Sequence, residues 1–510
     1  PPLLEAISSA AIQRIDAFIP LDIANTAWAF SRCGIRHEPL FAAISSAAIR
    51  LISEFNPQVL PNTLWSYAPL SFADSPLLDA LSAASLRIIT QLEYPGLSAT
   101  AWSLATLARR DGPLLAAIAA SAIRTIPDYR TQGLANTAWA YATLACVDGP
   151  LFDAISEAAI PQLTAEDPRG QAVGAVALVH SFDVAGRLDG ELLGAAAACL
   201  AAHARTLDAP TDYLQEELEA ASARADARAS AELTSTGSAV QPRVISVRAP
   251  VCVLAKPPGW TASVHSTEDG SSERCVLDDS LAGGAAAANT PRLEAWLATE
   301  FGGRFPIARD AGLSHGLLHR LDRDTSGALL WASTYQGFHA ANLQFATRRV
   351  RKEYVCLCHG TGLATPALLC APLRERAAPA GGGLARCAVD PAGGRSARTE
   401  LLASAGLLCP AGTRLCLVRV RLHTGRQHQI RAHLSHEGRP LVGDALYGGR
   451  EPAWCPRVFL HARRLALDIG EGPIDLEVPL PHDILLALEA LTPVDGRAAA
   501  LQRGLMGPGS

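Results

Sequence analysis

Four tryptophans, Trp28, Trp65, Trp102 and Trp139, follow one another at intervals of 37 residues in the first part of this 510-residue chain. They lie in the similar phrases "NTAWAF", "NTLWSY", "ATAWSL" and "NTAWAY". Proline repeats with the same period and opens "PLLEAISSAAI", "PLFAAISSAAI", "PLLDALSAASL", "PLLAAIAASAI" and "PLFDAISEAAI". Proline is favoured in the first turn of a helix. A fixed period of this length is typical of stacked repeats, so we predict an α-solenoid of helical pairs over residues 1–205.

We interpret the tryptophans as packing residues, because they keep the register of an apolar helix face. A weaker fifth unit follows, in which Val176 replaces tryptophan and "ELLGAAAACL" begins about four residues late. This unit is expected to be a capping repeat. The phrase "LANTAWAYATLA" resembles the octotricopeptide-type helical repeats of organellar RNA-binding proteins.

That resemblance implies two properties of the array. It implies contact with RNA, but residues 1–205 contain 12 basic against 18 acidic residues (12 − 18 = −6), which favours a protein partner instead. Both partners stay open. The resemblance to octotricopeptide-type repeats also favours a mitochondrial or plastid location, with the cytoplasm as the alternative. The chain begins with Pro1 inside a repeat, so we expect any targeting segment to lie outside this sequence.

Residues 206–242 differ from the array in composition. "DYLQEELEAASARADARA" predicts one more exposed acidic helix, and "SAELTSTGSAVQPR" has the composition of a linker. We therefore place the domain boundary near residue 240, expect residues 243–495 to fold by themselves, and predict a tail over residues 496–510. No run of eighteen uncharged apolar residues occurs in the sequence, so no membrane-spanning helix is predicted.

The stretch "GLLHRLDRDTSGALLWA", residues 316–332, places charged side chains between two apolar runs. The pattern predicts that the chain enters the interior, turns at residues 324–327 and leaves as a strand. Asp322 would then lie at the edge of the core. A carboxylate at such a place needs a cationic partner from elsewhere in the chain.

Six phrases in the second part of the chain resemble the RluA-type RNA pseudouridine synthases. The first, "LLHRLDRDTSGALLWA", resembles the H-R-L-D-x-x-T-S-G motif of that family. Both lysines of the chain, Lys256 and Lys352, stand at lysine positions of the family, whereas Arg395 replaces a third family lysine. The other phrases follow in family order: "LAKPPGW", "RKEYVCLCHG", "GGRSARTE", "LHTGRQHQIRAHLSHEGRPLVGDALYGG" and "FLHARRL".

The resemblance implies an α+β synthase domain over residues 243–495 with a mixed, mainly antiparallel sheet. The implied reaction breaks the bond between ribose C1′ and uracil N1 and rejoins the base through C5, which requires no cofactor and no metal. Residues 243–490 carry 28 basic and 23 acidic residues (28 − 23 = +5), a balance that suits an RNA partner. The predicted substrates are uridines of ribosomal RNA, transfer RNA or organellar transcripts, and the resemblance does not identify which.

The resemblance also implies the catalytic residues. Asp322 is the carboxylate that attacks C1′ or stabilises the reacting sugar, and Arg431 is its ionic partner. Tyr354 packs on the base and takes a sugar proton. The alternatives are a surface helix arginine for Arg431 and a half-buried strand tyrosine for Tyr354. Thr424 and Gln427 have the spacing of a capping box for the helix that carries Arg431, and Gly438 is predicted to end that helix.

Five further residues are predicted to bind substrate. Arg320 either positions an unstacked nucleotide or pairs with Asp324, and Lys256 either contacts a phosphate or caps a strand. The complete set is Arg320, Lys256, Lys352, Arg426 and His428.

The sequence also offers patterns of three other functions. A metal site at His423, His428, His433 and His436 is disfavoured, because these histidines lack the i, i+4 spacing of a helical ligand pair. An aspartic protease is disfavoured, because "DTSG" has an inserted serine and no second copy. A catalytically inactive RNA-binding or scaffold protein of the same fold remains the alternative.

Overall fold

A computed structural model describes residues 2–165, 170–208, 214–236, 240–262, 264, 290–376, 386–391, 393–470 and 472–506, with residues 2 and 228–236 described by backbone only. These residues form two compact units, and the chain passes from one to the other between His203 and Ala204. Within these ranges no helix combines the length and the apolar character needed to cross a membrane.

The first unit is a run of paired helices, as the 37-residue period predicted. Within the first five pairs, each helix packs against the equivalent helix of the next pair. The first helices of the pairs are α1 (Pro2–Arg14), α3 (Glu38–Arg50), α5 (Ser75–Arg87), α7 (Gly112–Thr125), α9 (Gly149–Leu163) and α11 (Gly190–Arg205). The second helices are α2 (Pro20–Arg32), α4 (Val59–Tyr67), α6 (Tyr94–Thr106), α8 (Thr131–Thr143) and α10 (Ala172–Val184).

The tryptophans form a ladder between successive second helices. The rings of Trp65 and Trp102 lie 6.3 Å apart between centroids, and the rings of Trp102 and Trp139 lie at the same distance. Trp102 and Trp139 are 9% and 5% exposed, whereas Trp28 is 48% exposed. Val176 is 3% exposed at the equivalent place of the fifth unit. The interpretation of these positions as packing residues is confirmed for the buried members.

The period also governs the starts of the first helices. Asp74, Asp111 and Asp148 each accept a hydrogen bond from the main-chain N–H three residues later, at 3.0 to 3.1 Å. His37 stands in the same register and accepts through Nδ1 at 3.1 Å. Such acceptors satisfy an N–H group that the start of a helix leaves unpaired. The tryptophans and prolines did not indicate these caps.

The second helices end at residues with left-handed backbone. Gly34, Ser71, Ala108 and Ala145, again 37 residues apart, have φ between 50° and 65°. At Ala108 two main-chain bonds close α6, one from its own N–H at 3.0 Å and one from the next N–H at 2.8 Å. Glycine adopts this conformation without steric cost, whereas a Cβ atom is disfavoured there. Ala108 and Ala145 therefore carry local backbone strain.

The second unit is built on a sheet that is mixed and mainly antiparallel, as predicted. Ten strands of the described residues form it in the order β1-β2-β3-β10-β4-β9-β8-β12, with β11 beside β10 and β5 beside β8. Strands β3 and β10 run parallel, and the other strand pairs run antiparallel. The strands are β1 (Arg243–Arg248), β2 (Val251–Lys256), β3 (Ser326–Ala332), β4 (Arg351–His359), β5 (Ala367–Leu369), β8 (Thr399–Leu408), β9 (Arg414–Leu422), β10 (Leu460–Asp468), β11 (Pro473–Glu477) and β12 (Thr492–Pro493). A separate hairpin joins β6 (Leu373–Arg376) to β7 (Arg386–Val389).

Helices cover the sheet. One buried cluster contains Trp331, Tyr354 and Val418 together with residues of α12 and α15, and a second contains Leu357 and Leu417 together with residues of α16 and α17. The helices of this unit are α12 (Leu214–Thr236), α13 (Leu293–Glu300), α14 (Tyr335–Ala346), α15 (Gln429–His436), α16 (His482–Glu489) and α17 (Gly496–Met506).

The second unit extends beyond the predicted bounds of 243 and 495. Helix α12, expected to be an exposed acidic helix before a linker, packs on β1 and buries Leu218 and Ala221. Helix α17 lies in the predicted tail and buries Ala498 and Leu505. Helix α12 has a narrow apolar face among its acidic residues. The average composition of the segment does not reveal this face, and so the sequence predicted an exposed helix. Residues 209–213 and 237–239 of the predicted linker and 507–510 of the predicted tail lie outside the described residues.

Candidate active site

Asp322 lies in a tight turn directly before β3. The N–H of Thr325 donates to the carbonyl of Asp322 at 3.1 Å, so the turn spans residues 322–325 and begins two residues earlier than predicted. Leu317 and Leu321 before the turn are 1% and 6% exposed, and β3 after it is buried throughout. The apolar runs on both sides thus hold the turn at the edge of the core, and the Asp322 side chain remains 15% exposed.

Arg431 reaches this carboxylate from α15. Its Nη1 donates to Asp322 Oδ2 at 3.2 Å. Its Nε and Nη2 donate to the two carboxylate oxygens of Asp444, both at 2.8 Å. Arg431 is 10% exposed and Asp444 is 1% exposed at their side chains. The predicted cation is therefore present, but it is shared between two carboxylates.

The start of α15 differs from the prediction. Thr424 and Gln427 do not form a capping box, because the helix begins at Gln429, after His428 in left-handed conformation with φ of 51°. The Thr424 hydroxyl instead donates to the side chain of Gln429 at 2.8 Å. The predicted end is confirmed, since Gly438 has φ of 70° and its N–H bonds back into the helix at 3.0 Å.

Asp444 and Tyr447 were not singled out from the sequence. Tyr447 lies under the Arg431 guanidinium, 5.0 Å from ring centroid to Cζ, and its hydroxyl lies 3.1 Å from His428 Nδ1. The same hydroxyl bonds the main chain of Cys387 in β7. The phrase "LVGDALYGG" holds both residues, and its acidic and aromatic side chains in an apolar, glycine-rich context were the available signal.

The charges around Asp322 determine its ionisation. Burial by itself raises the pKa of this carboxyl, but the interactions with His428, Arg431 and Arg320 outweigh burial and bring the pKa below its ordinary value. His428 Nε2 lies 3.9 Å from Asp322 Oδ1. The carboxylate is therefore ionised at neutral pH.

Tyr354 lies on β4, opposite Val420 of β9 and Ala462 of β10, and is 6% exposed. Burial, and then the negative charge of Asp322, raise the pKa of its phenol well above the ordinary value. The hydroxyl therefore keeps its proton at neutral pH, which suits a hydrogen-bond donor or a packing surface better than a base.

Lys256 is buried beneath the turn. It is 1% exposed, and its Nζ donates to the carbonyls of Pro257 at 3.0 Å and Arg323 at 2.8 Å. Burial lowers its pKa to about 7, against the opposing effect of Asp324 and Asp322. These bonds fit the strand-capping alternative for Lys256, and its contact with a phosphate stays a prediction.

Two more residues predicted to bind substrate, Lys352 and Arg426, each have a described contact. Lys352 is partly buried, and its Nζ lies 5.3 Å from the centroid of the Phe345 ring. Arg426 is partly exposed and donates to the carbonyl of Ser396 at 3.2 Å. Asp324, the alternative partner expected for Arg320, is bound by Arg323 at 3.0 and 3.1 Å.

Three of the four clustered histidines contact different partners rather than one centre. His423 Nε2 lies 3.0 Å from a carboxylate oxygen of Glu400, and His433 lies 2.9 Å from the Thr399 hydroxyl. His428 contacts Tyr447, as described above. Among the residues with described side chains, no group of three or more potential ligands could hold a metal ion.

Comparisons with known proteins agree with the two-unit division. A family model described as RNA pseudouridylate synthase matches residues 251–436, and one described as RNA-editing substrate-binding complex 6 protein matches residues 1–169. An uncharacterized RNA pseudouridine synthase of Chloroflexus aurantiacus is 39% identical over 196 residues, 37% of this chain and 57% of that protein.

Two further relatives have related names. Ribosomal large subunit pseudouridine synthase D of Xanthomonas campestris pv. campestris is 33% identical over 207 residues, 37% of this chain and 58% of that protein. An uncharacterized RNA pseudouridine synthase of Zymomonas mobilis is 33% identical over 168 residues, 32% of this chain and 73% of that protein. The chain spans a little over half the length of the first curated relatives that it matches.

Proposed function

The chain belongs to the RluA-type family of RNA pseudouridine synthases, and from this premise we propose that its second unit converts uridines in RNA to pseudouridine. The observation that carries the proposal is the ionised, 15% exposed Asp322 carboxylate, held from one side by Arg431. Oδ2 accepts the bond from Arg431 and leaves Oδ1 for the sugar.

The proposed reaction needs only the side chains of this site. Asp322 Oδ1 attacks ribose C1′, the C1′–N1 bond breaks, and its electron pair leaves with the uracil. The base turns, C5 attacks C1′ and displaces the carboxylate, and the C5 proton passes to N1 through solvent. Substrate and product are isomers, so no oxidant, reductant or group donor enters. Tyr354 packs beside the base as a neutral phenol.

Asp322→Asn tests this proposal. The asparagine keeps nearly the same volume, and Arg431 keeps its two bonds to Asp444, so the variant should fold and melt close to the wild type. Pseudouridine formation on total RNA, counted after nuclease digestion, should fall to background because the nucleophile is lost.

Asp324→Asn is the control, because that carboxylate is 42% exposed and pairs with its neighbour Arg323. It should retain turnover. Substantial turnover in Asp322→Asn, together with loss in Asp324→Asn, would show that the assignment is wrong. A wild-type chain that binds RNA and forms no pseudouridine on any RNA would support the alternative, an inactive RNA-binding protein.

The helical array is proposed to select the target. Its match to an RNA-editing substrate-binding protein supports contact with RNA, and its acidic balance supports a protein partner. The octotricopeptide-like repeats support an organellar transcript as substrate. Mapping modified uridines after crosslinking, with the full chain and with the second unit alone, would test this: identical site preference would exclude a selecting role for the array.

A further inference from the structure

Arg457 is a nearly buried arginine outside the phrases that were assigned catalytic roles. It lies shortly before β10, and its side chain is 11% exposed. Nε and Nη2 bind the carboxylate of Asp483 at the start of α16, the second bond at 3.2 Å. Of its other bonds, one goes to the carbonyl of Val458, one to the turn that carries Asp322 and one to Ser326 at the start of β3.

One bond of Arg457 holds the main chain of the turn. Arg457 Nη1 donates to the carbonyl of Asp324 at 2.9 Å. The preceding carbonyl, that of Arg323, accepts from Lys256 Nζ at 2.8 Å. A buried lysine and a nearly buried arginine therefore bind two consecutive carbonyls of residues 322–325, and a bond from a charged donor such as the Arg457 guanidinium is stronger than a neutral one. Rotation of either peptide plane would break one of them and move the Asp322 carboxylate.

Arg457 also ties the turn to the parallel strand pair. Its Nη2 donates to the Ser326 hydroxyl at 3.1 Å, and that hydroxyl lies 3.0 Å from His461 Nδ1 in β10. The next residue, Gly327, lies so close to β10 that a Cβ atom would stand 2.2 Å from the carbonyl of Ala462. The start of β3 is therefore fixed against β10 on one side, and the turn has little freedom to adjust.

We propose that Arg457, oriented by Asp483, is a positioning residue that holds the Asp322 turn in the geometry needed for attack on C1′. The inference rests on the proposed function for its kinetic consequence. It predicts that loss of Arg457 impairs the chemical step while RNA binding is unaffected, because Arg457 reaches the reaction only through the main chain of the turn.

Arg457→Met should lower kcat on the order of 100-fold with KM nearly unchanged, since small misplacement of a reacting group has effects of this size. Arg457→Lys should recover part of kcat, because a lysine can bind one carbonyl but cannot also bridge the Asp483 carboxylate. Asp483→Asn should lower kcat in the same direction by loosening Arg457. If Arg457→Met does not fold, Arg457→Lys and Asp483→Asn still test the proposal.

Arg463→Met is the matched control. Arg463 is 17% exposed, binds Glu477 at 2.9 Å and the carbonyl of Leu505 at 2.9 Å, and so anchors α17 rather than the turn. Assays are run where circular dichroism shows each variant folded. Equal losses of kcat in Arg457→Met and Arg463→Met, or a loss seen only in KM, would overturn the proposal.

Amide hydrogen exchange tests the same inference without activity. The N–H of Thr325, which closes the turn on the carbonyl of Asp322, should exchange faster in Arg457→Met and Asp483→Asn but not in Arg463→Met. Unchanged exchange would refute the positioning role. If the wild type formed no pseudouridine and exchange still accelerated, the proposed function would fail and the positioning role would stand.

Discussion

Asp444→Asn is expected to destabilise the second unit by about 3 to 5 kcal/mol, the usual cost of breaking a buried ion pair by removing one partner. The structure favours the lower end of this range. Asp444 is 1% exposed and binds Arg431 through both oxygens at 2.8 Å, but Arg431 keeps Asp322 as a second carboxylate at 3.2 Å. At roughly 2 to 4 °C per kcal/mol for a domain of this size, the melting temperature should fall by about 6 to 12 °C.

Thermal unfolding followed by circular dichroism at neutral pH measures this shift. Asp475→Asn is the matched control, because Asp475 also pairs with an arginine, Arg464, but is 48% exposed. An exposed pair contributes about 0 to 1 kcal/mol, so the control should melt within a few degrees of the wild type. Equal melting temperatures for the two variants would refute the reasoning that burial of the Arg431–Asp444 pair makes it necessary for stability.

Three further outcomes are expected. Ala108→Gly should stabilise the array by about 0.5 to 1 kcal/mol in urea unfolding, because glycine removes the strain of a φ of 53°. A fragment of residues 204–506 should be soluble and monomeric, whereas a fragment of residues 243–495 should aggregate in size-exclusion chromatography, because it lacks α12 and α17. Burial raises the pKa of Asp322 and the interaction with His428 lowers it, so His428→Asn should move the acid limb of the kcat profile to higher pH.

Controls separate these effects from general damage. Ala120→Gly lies on an exposed helical position of α7 and should destabilise the array by about 1 kcal/mol, opposite in sign to Ala108→Gly. His436→Asn, at an exposed histidine, should leave the acid limb in place. The sign of the pH shift follows from the reactive form: the rate falls as pH falls through the pKa of Asp322, so a higher pKa brings the loss at higher pH. An unmoved or lowered limb in His428→Asn would contradict the electrostatic assignment.

The helical pairs were predictable because each repeat packs mainly against the repeats next to it in the chain. The periodic pattern of Trp65 and Trp102 therefore already contains the contacts that bury them. The end of α15 at Gly438 was equally predictable, since a left-handed helix end depends on only a few neighbouring residues. The capping box predicted at Thr424 is wrong for the complementary reason. The spacing was right, but the Thr424 hydroxyl donates to the side chain of Gln429, and the helix begins only at Gln429.

The sequence by itself determined the array, the strand that follows Asp322 and the need of that carboxylate for a cation. Only the tertiary structure decided how the charges are shared. Arg431 meets Asp322 across 109 residues of chain, and Arg457 meets the carbonyl of Asp324 across 133. The identity of a charged residue does not show whether its side chain is exposed to water or buried in the interior. Strand pairing and helix packing bring Lys256 and Arg457 under one turn, and burial there makes their bonds to it strong.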